Sequence, residues 1–335
     1  MKKGFLGFLV LLIATAGVSE PSAHAEKKLR VGLVLDKGGR DDKSFNSSAF
    51  RGAKDAETKL GIELKVVESS DDTSIEPSLR SFAQRGYQLV IGIGFVMVAA
   101  VKKVAKEFPK TQFLLVDAIA DLPNVRSVQF AEHEGSFLVG AIAALTSKKG
   151  KVGFVGGMDI PLIRRFELAY RSGAKYANPK VEIFSNYVGS SSDAWRNPMK
   201  AKELTLAQYR KDADIVFQAA GASGLGVFDA AEETKRLAIG VDSNQNWVKP
   251  GRILTSMIKR VDLAVYQAIE DAANGKFTGG TTSLGLADGG IGFAVDENNR
   301  AILSPEVEKK ANELKAQIIK KAVKVPDYYL LKNKS

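Results

Sequence analysis

The sequence predicts an α/β protein made of two units, each a mostly parallel sheet with helices on both faces. Along the chain, strand-length runs of Val, Ile and Leu alternate with longer segments of helical periodicity. The runs are continuously apolar, which is typical of strands buried on both faces. About 310 of the 335 residues remain after a predicted leader, and that length favours two lobes over a single core.

The first 25 residues have the features of an export signal. Lys2 and Lys3 precede an apolar stretch, 4–17, and Ala23 and Ala25 form a small-x-small cleavage site. The apolar stretch is shorter than the roughly 20 residues that span a bilayer. We predict cleavage after Ala25 and a periplasmic protein without a lipid anchor, because the sequence contains no cysteine that could be lipidated.

Four apolar runs, a further segment at 125–130 and the helices between them define the first unit. Strands are predicted over 29–35, 62–67, 88–93, 111–116 and 125–130. Helices are predicted over 47–60, 75–85 and 96–108. This alternation predicts parallel strands, since each helix returns the chain to the same edge of the sheet.

The second unit repeats the pattern from residue 151. Strands are predicted over 151–155, 181–187, 215–219 and 237–241, with a strand-like segment that crosses between the lobes over 253–258. Helices are predicted over 161–176, 193–211, 223–236, 263–273 and 305 to about 323. The glycine-rich stretch 279–290 is predicted to be turn-like.

The two units are predicted to be joined by a hinge of three segments. No Ser-, Pro- or Gly-rich linker separates them, so the chain is expected to cross near 130–134, 254–260 and 283–290. The N-terminal lobe then contains 26–131 plus about 255–283, and the C-terminal lobe contains 132–254 plus about 284–335. Closure about such a hinge is a common way to capture a small ligand.

Several kinds of chemistry find no support in the composition. A catalytic triad would require His133, the one histidine after the leader, and we expect that residue to be structural. A single histidine without cysteine also disfavours a zinc site. We expect neither a metal nor a cofactor. The formal charge is +10, but many bases alternate with acids, so a solvated basic surface is favoured over a nucleic-acid site.

A glycine-rich turn follows the predicted strand 215–219. Gly221, Gly224 and Gly226 are spaced G-x-x-G-x-G, which differs from the G-x-G-x-x-G of a dinucleotide site. The glycines instead favour close approach of backbone N–H groups to a ligand at a helix N-terminus.

Charged side chains end four of the strand segments. Asp36, Asp117, Asp242 and Lys259 occupy these positions, and Trp195 begins a predicted helix after another strand. Each has a purely structural alternative, because an Asp can cap the next helix and an aromatic residue can pack in a core. If the two sheets face each other, however, these ends line one cleft.

The turn after the first strand adds an aromatic ring and an amide to this set. Phe45 and Asn46 follow Asp36 closely, and the neighbouring bases lack the spacing of a phosphate loop. A carboxylate, an amide and a ring together suit a neutral polar ligand with a flat ring.

Four motifs give the chain, from about residue 29 to 331, its resemblance to the basic membrane protein family. They are Asp41-Asp-Lys-Ser-Phe-Asn46 with Gly52 soon after, Glu134-Gly-Ser-Phe-Leu-Val-Gly140, Gly153-Phe-Val-Gly-Gly157 and Ile239-Gly-Val-Asp242. The family comprises substrate-binding components of ABC importers, and characterised members bind purine nucleosides. The resemblance implies a type I periplasmic-binding-protein fold with two Rossmann-like lobes.

The resemblance also implies which residues contact the base. Asp36 and Phe45 would contact the ligand from the first turn, and Phe45 and Trp195 would sandwich the base. Relatives often carry Phe where this chain carries Trp195. Asp117 or Asn46 would read the edge of the base.

The ribose hydroxyls would be held by Asp242, Lys259 and Gly221. The resemblance thus implies a monomeric periplasmic protein that delivers guanosine, inosine or adenosine to an ABC permease at the inner membrane. A sugar-type or other small-molecule binding protein, or a sensor, remains the alternative. An exported nucleoside hydrolase is disfavoured because a triad and a metal cluster are missing from the sequence.

Overall fold

Two six-stranded sheets form the two lobes of the protein. The computed structural model describes residue 1 and residues 28–332, so the predicted leader lies outside the described residues. Numbered along the chain, the strands of the first sheet are β1 (Arg30–Leu35), β2 (Glu63–Glu68), β3 (Leu89–Ile93), β4 (Gln112–Val116), β5 (Val125–Phe130) and β11 (Gly280–Leu284). They are all parallel, in the order β11-β5-β4-β3-β1-β2.

The second sheet has the order β12-β10-β9-β8-β6-β7, with only β12 antiparallel to its neighbour. Its strands are β6 (Lys151–Met158), β7 (Glu182–Gly189), β8 (Ile215–Ala219), β9 (Leu237–Asp242), β10 (Ile253–Lys259) and β12 (Ile291–Phe293). The central strands of both sheets are buried along most of their length, as their continuous apolar runs predict.

Helices cover both faces of each sheet. Those of the first lobe are α1 (Phe45–Leu60), α2 (Ile75–Gln84), α3 (Val98–Glu107) and α8 (Val261–Ala273). Those of the second lobe are α4 (Glu132–Thr146), α5 (Pro161–Ala177), α6 (Pro198–Arg210), α7 (Gly224–Thr234), α9 (Pro305–Ile319) and α10 (Tyr328–Lys332). Among the described residues, no helix combines the length and the apolarity that crossing a bilayer requires.

Helices α1 and α8 pack closely although they are far apart in sequence. A Cβ placed on Gly52 of α1 would lie 2.2 Å from the carbonyl oxygen of Asp262 in α8. Glycine at this position therefore allows the two backbones to touch. The first lobe is thus completed by α8, which follows most of the second lobe in the sequence.

Three parts of the sequence-based prediction are wrong in detail. The stretch 279–290 includes strand β11, which the turn-like composition hid because an exposed edge strand needs no apolar run. Segment 253–258 is not a free crossing, because β10 pairs with β9 and β12 as far as Lys259. The helix predicted over 193–211 is broken into a 3₁₀ turn, Ser192–Arg196, and α6, since Pro198 and the cap Asn197 begin a new helix.

The three connections between the lobes lie side by side. They follow β5, β10 and β11, and backbone hydrogen bonds join them to one another. Ala131 N–H donates to the Leu284 carbonyl at 2.8 Å, and Arg260 N–H donates to the Gly290 carbonyl at 2.8 Å. The carboxyl ends of the strands of both sheets face the space beside these connections.

Candidate functional site

A cavity of about 560 Å³, including its open mouth, lies between the lobes at the carboxyl ends of the strands. All eight residues predicted from the sequence line it, namely Asp36, Phe45, Asn46, Asp117, Trp195, Gly221, Asp242 and Lys259. The wall also contains apolar side chains that the sequence did not point to, among them Phe95, Leu162, Ile163 and Phe166. The fold therefore places the charged residues at the four strand ends around one cavity, together with the two aromatic residues, Asn46 and Gly221.

The turn after β1 holds Asp36 through the side chain of Asn46. The Asn46 amide donates to Asp36 Oδ1 at 2.7 Å and to Asp42 Oδ2 at 3.1 Å, and its oxygen accepts from Asp36 N–H at 3.3 Å. Burial raises the pKa of Asp36 to about 6, although the bonds from Asn46 and from Gly38 N–H oppose the shift. Because both amide hydrogens of Asn46 have acceptors, this side chain positions Asp36.

Asp42 anchors the start of α1. Its carboxylate accepts from the backbone N–H groups of Ser44, Asn46 and Ser47 at 2.8 to 3.0 Å. Side-chain bonds of this kind satisfy the free N–H groups at a helix N-terminus. Phe45 is the first residue of α1, so the hydrogen bonds to Asp42 also fix the backbone position from which the Phe45 side chain extends.

Aromatic rings from opposite lobes face the cavity. Phe45 comes from the first lobe and Trp195 from the 3₁₀ turn of the second. The Trp195 ring stands edge-on to Phe95, with centroids 6.4 Å apart and planes at 70°. A Cβ on Gly157 would lie 2.2 Å from Trp195 Cζ3, so the glycine provides the space for the indole. The indole N–H is buried with no hydrogen-bond acceptor among the described residues.

Two aspartates at corresponding strand ends have a left-handed backbone. Asp117 follows β4 with φ of 68°, and Asp242 ends β9 with φ of 64°. Aspartate tolerates this region better than most residues, which explains its use at both turns. Ser44 Oγ in the first lobe donates to Asp242 Oδ2 at 2.6 Å, so this carboxylate also joins the lobes.

Burial raises the pKa of both carboxyl groups above the usual value of an aspartate. Burial raises the pKa of Asp242 to about 7, against the opposing effects of the Lys259 ammonium and the Ser44 hydroxyl. Burial likewise raises the pKa of Asp117 to about 6, although Lys259 lowers it. Asp117 Oδ1 is buried with no hydrogen-bond donor among the described residues, which leaves it available to a ligand.

Lys259, at the end of β10, is almost fully buried between carboxylates and rings. Its ammonium lies 2.5 Å from Asp117 Oδ2 and 3.1 Å from Glu132 Oε1, with ring centroids of Phe45 and Phe130 at 5.0 and 5.1 Å. Burial alone would lower the pKa of Lys259, but the surrounding carboxylates outweigh it and raise the pKa. The side chain is therefore a fixed positive charge at the wall of the cavity.

Glu132 and Arg165 are charged residues near the site that the sequence analysis missed. Glu132 Oε2 accepts from Arg165 Nη1 at 2.6 Å, and both side chains are buried. The one available signal was the Glu-His-Glu run around His133 at the start of α4. His133 itself does not line the cavity, and burial, helped by the Arg165 charge, lowers its pKa to about 4.

The lobes are closed over the cavity. Ser192 Oγ of the second lobe donates to Asp72 Oδ2 of the first at 2.7 Å, and Lys37 forms an ion pair with Asp193 across the mouth. Ser243 Oγ donates to the Ser44 carbonyl at 3.0 Å deeper in the interface. A ligand of the size of the cavity would therefore contact both lobes at once.

Comparison with known families agrees with this architecture. A family model described as Bmp, ABC transporter substrate-binding protein PnrA-like, matches residues 29–328, which is nearly all of the described chain. The chain belongs to the Bmp family. The family resemblance predicted from the four sequence motifs is thereby confirmed.

Individual Bmp relatives extend over most of the chain. The ABC transporter nucleoside-binding protein BmpA of Lactococcus lactis subsp. cremoris is 33% identical, covering 97% of this chain and 99% of the relative. An uncharacterized lipoprotein of Pyrococcus abyssi is 33% identical, covering 86% of this chain and 75% of the relative. The family is thus one of substrate-binding proteins, and some members are named lipoproteins.

Solved structures support the same fold for this Bmp protein. A solute-binding protein of an ABC transporter system from Aeropyrum pernix K1 matches with a TM-score of 0.82 at 30% identity, covering 89% of this chain and 94% of that one. Together with the two parallel sheets and the lobe connections, this confirms the predicted type I periplasmic-binding-protein fold.

Proposed function

We propose that this protein is the substrate-binding component of an ABC importer for a purine nucleoside. The observation that carries the proposal is the cavity itself, in which flat aromatic walls from both lobes meet carboxylates and one buried cation. A purine nucleoside needs a flat slot for the base and charged acceptors for the ribose hydroxyls. The nucleoside-binding name of the Lactococcus relative supports the same ligand class.

The base would lie between Phe45 and Trp195. Stacking on aromatic rings is worth about 1–3 kcal/mol per base. Asp117 is the better candidate for reading the base edge, because its Oδ1 is unpaired among the described residues whereas the Asn46 amide is engaged. Asp36 would accept a further hydrogen bond from the same side of the ligand.

The ribose would lie against Asp242, Lys259 and Gly221. Asp242 offers an acceptor oxygen besides the one bonded to Ser44. The Lys259 ammonium has three N–H donors, and its two carboxylate neighbours leave one for a hydroxyl group. Gly221 opens the 3₁₀ turn after β8, where backbone groups can approach the sugar.

Closure of the lobes would retain the ligand until the protein meets its permease. We propose that the protein acts as a monomer in the periplasm after removal of residues 1–25. The sequence contains no cysteine to which a lipid could be attached, whereas some relatives are named lipoproteins. Fractionation of cells with an antibody to the protein tests this location, and recovery with the membrane pellet after a salt wash would contradict it.

A thermal-shift panel tests the ligand class. We expect inosine, guanosine or adenosine to raise the melting temperature, because a ligand that binds only the folded state stabilises it. Ribose, glucose and free bases serve as comparison compounds. A response to a hexose or pentose with none to any nucleoside would favour a sugar-binding protein instead. Mass spectrometry of small molecules released on denaturation would identify a ligand retained from the cell.

The chain offers a matched pair of tryptophans to locate the site. Trp195 lies in the cavity, whereas Trp247 is 54% exposed and does not line it. We expect Trp195→Ala to weaken inosine binding by about 1–3 kcal/mol in calorimetry, and Trp247→Ala to leave it within error. Equal effects of the two substitutions would contradict the stacking role.

The ribose assignment has its own test. We expect Asp242→Ala to weaken inosine binding by at least about 2 kcal/mol, because hydroxyl groups lose a charged acceptor. Unchanged affinity would remove Asp242 from the ribose site. Incubation of the protein with inosine should yield no hypoxanthine beyond the buffer blank, and release at catalytic turnover would establish a hydrolase.

A further inference from the structure

A chain of five charged side chains leads from the cavity to the C-terminal segment. In order from the cavity they are Asp117, Lys259, Glu132, Arg165 and Asp327. Their side chains are between 2% and 12% exposed, so water screens these charges only weakly. The contacts are continuous, at 2.5, 3.1, 2.6 and 2.8 Å between successive partners.

The five residues come from five different parts of the fold. Asp117 follows β4 of the first lobe, Lys259 ends β10 of the second, and Glu132 begins α4 directly after the first lobe connection. Arg165 lies on α5, and Asp327 immediately precedes α10. The chain of charges thus connects both lobes, two of the three connections between them, and the segment just before α10.

Glu132 is the shared member of this chain. One of its oxygens contacts the Lys259 ammonium and the other accepts from Arg165. Arg165 is held in turn by two hydrogen bonds of 2.8 Å to Asp327 and by the Tyr329 ring, 4.7 Å from its guanidinium carbon. A bidentate pair of this kind fixes the plane of the guanidinium group.

We infer that Asp327 is a positioning residue for the ligand cavity, acting through Arg165, Glu132 and Lys259. None of Asp327, Arg165 and Glu132 lines the cavity, so the effect is indirect. Without the Asp327 carboxylate, the Arg165 guanidinium keeps the Glu132 carboxylate and the Phe130 carbonyl as its acceptors among the described residues, and Glu132 is its one remaining charged partner there. The Glu132 carboxylate then moves towards Arg165 and away from the Lys259 ammonium. Lys259 keeps Asp117 as its carboxylate partner. This inference rests on the proposed function in one respect, namely the use of inosine as the ligand in the binding tests.

Calorimetry with inosine at a temperature well below the melting point measures this coupling. We expect Asp327→Asn to weaken binding at least fivefold, whereas Asp327→Glu keeps the charge and stays within twofold of wild type. Glu297→Gln is the control, because Glu297 is exposed in the same lobe and has no ion pair among the described residues. A lower melting temperature with unchanged affinity would mean a purely structural role and would overturn the inference.

A double-mutant cycle tests the route. If Asp327 acts through Glu132, then Asp327→Asn added to Glu132→Gln should weaken binding by less than a further twofold. Fully additive losses would overturn the route. Circular dichroism of each variant confirms that the folded protein is being compared.

A ligand-free measurement separates this inference from the proposed function. The chain has no cysteine, so spin labels attach only at D121C on the first lobe and M199C on the second, both exposed positions. If wild type binds no nucleoside, the proposed function fails, but Asp327→Asn should still change the distribution of distances between the labels, because the altered Lys259–Asp117 pair joins the two lobes. An unchanged distance distribution would then overturn the positioning role.

Discussion

Replacing Asp242 by asparagine should stabilise the protein while impairing the site. Burial raises the pKa of Asp242 from 3.8 to about 7. Each pKa unit is worth about 1.4 kcal/mol, so ionising this carboxyl in the folded protein costs about 4 kcal/mol relative to the unfolded chain. An amide of the same shape avoids that cost and keeps an oxygen for the Ser44 hydroxyl, 2.6 Å away.

The sign of the pH dependence follows from the raised pKa. The folded state holds the Asp242 proton more tightly than the unfolded state, so the cost is absent below about pH 4 and complete above about pH 7. The advantage of Asp242→Asn should therefore grow by about 2–3 kcal/mol between pH 5 and pH 8. The loss of a charge-assisted hydrogen bond reduces the advantage at high pH without reversing the trend.

Urea denaturation without ligand at pH 5 and pH 8 gives the two free energies of unfolding. Asp41→Asn is the control, because Asp41 is an exposed aspartate near the same cleft. In parallel, inosine affinity at pH 8 should fall for Asp242→Asn and not for the control. The same free-energy difference between variant and wild type at both pH values would refute a raised pKa for Asp242 in the folded protein.

Three further substitutions probe the walls and the mouth of the cavity. Lys259→Met should lower the free energy of unfolding by about 3–5 kcal/mol at pH 7 in urea, because it leaves the buried Asp117 and Glu132 carboxylates without their ammonium partner. A loss as large at pH 5, where a greater fraction of Asp117 is protonated, would argue against this. Gly157→Ala should weaken inosine binding by about 1–3 kcal/mol in calorimetry by displacing the Trp195 ring, whereas Gly292→Ala, which meets nothing within 4 Å, should have no effect. Lys37→Ala removes the ion pair across the cleft mouth and should speed inosine release in stopped-flow fluorescence, less so at high salt; an unchanged rate would show that the pair does not hold the lobes closed.

The sequence predicted well those strands and helices whose burial shows as a local run or period of apolar residues. Strands such as β3 and β8 are short, mostly apolar, fully buried runs, and their limits match the prediction to within one residue. Charged residues at the ends of such runs, Asp36 and Lys259 among them, could be assigned to one edge because parallel strands share a direction. The cavity could be predicted because the carboxyl ends of the strands in both sheets were expected to face each other.

Contacts between segments that are distant along the chain could not be predicted from local sequence patterns. Strand β11 is exposed and polar, and only its partner β5 makes it a strand. The Asn46 amide could have faced the ligand, but Asp36 and Asp42 take both its hydrogens. The ion pair of Glu132 with Arg165 depends on how α4 packs on α5, which local periodicity does not specify.

The interleaving of the two lobes has a consequence for the order in which the protein can fold. Strand β11 pairs with β5 from about 150 residues away, and α8 fills the groove of α1 at Gly52 only after β10 has been made. Such nonlocal closure is slow, because the entropy of a long loop must be lost before its contacts form. The N-terminal lobe cannot be completed while the chain is still being synthesised through residue 260. A chain emerging from the ribosome therefore keeps β5 and α1 without their partners β11 and α8 until the segment after residue 260 has been made.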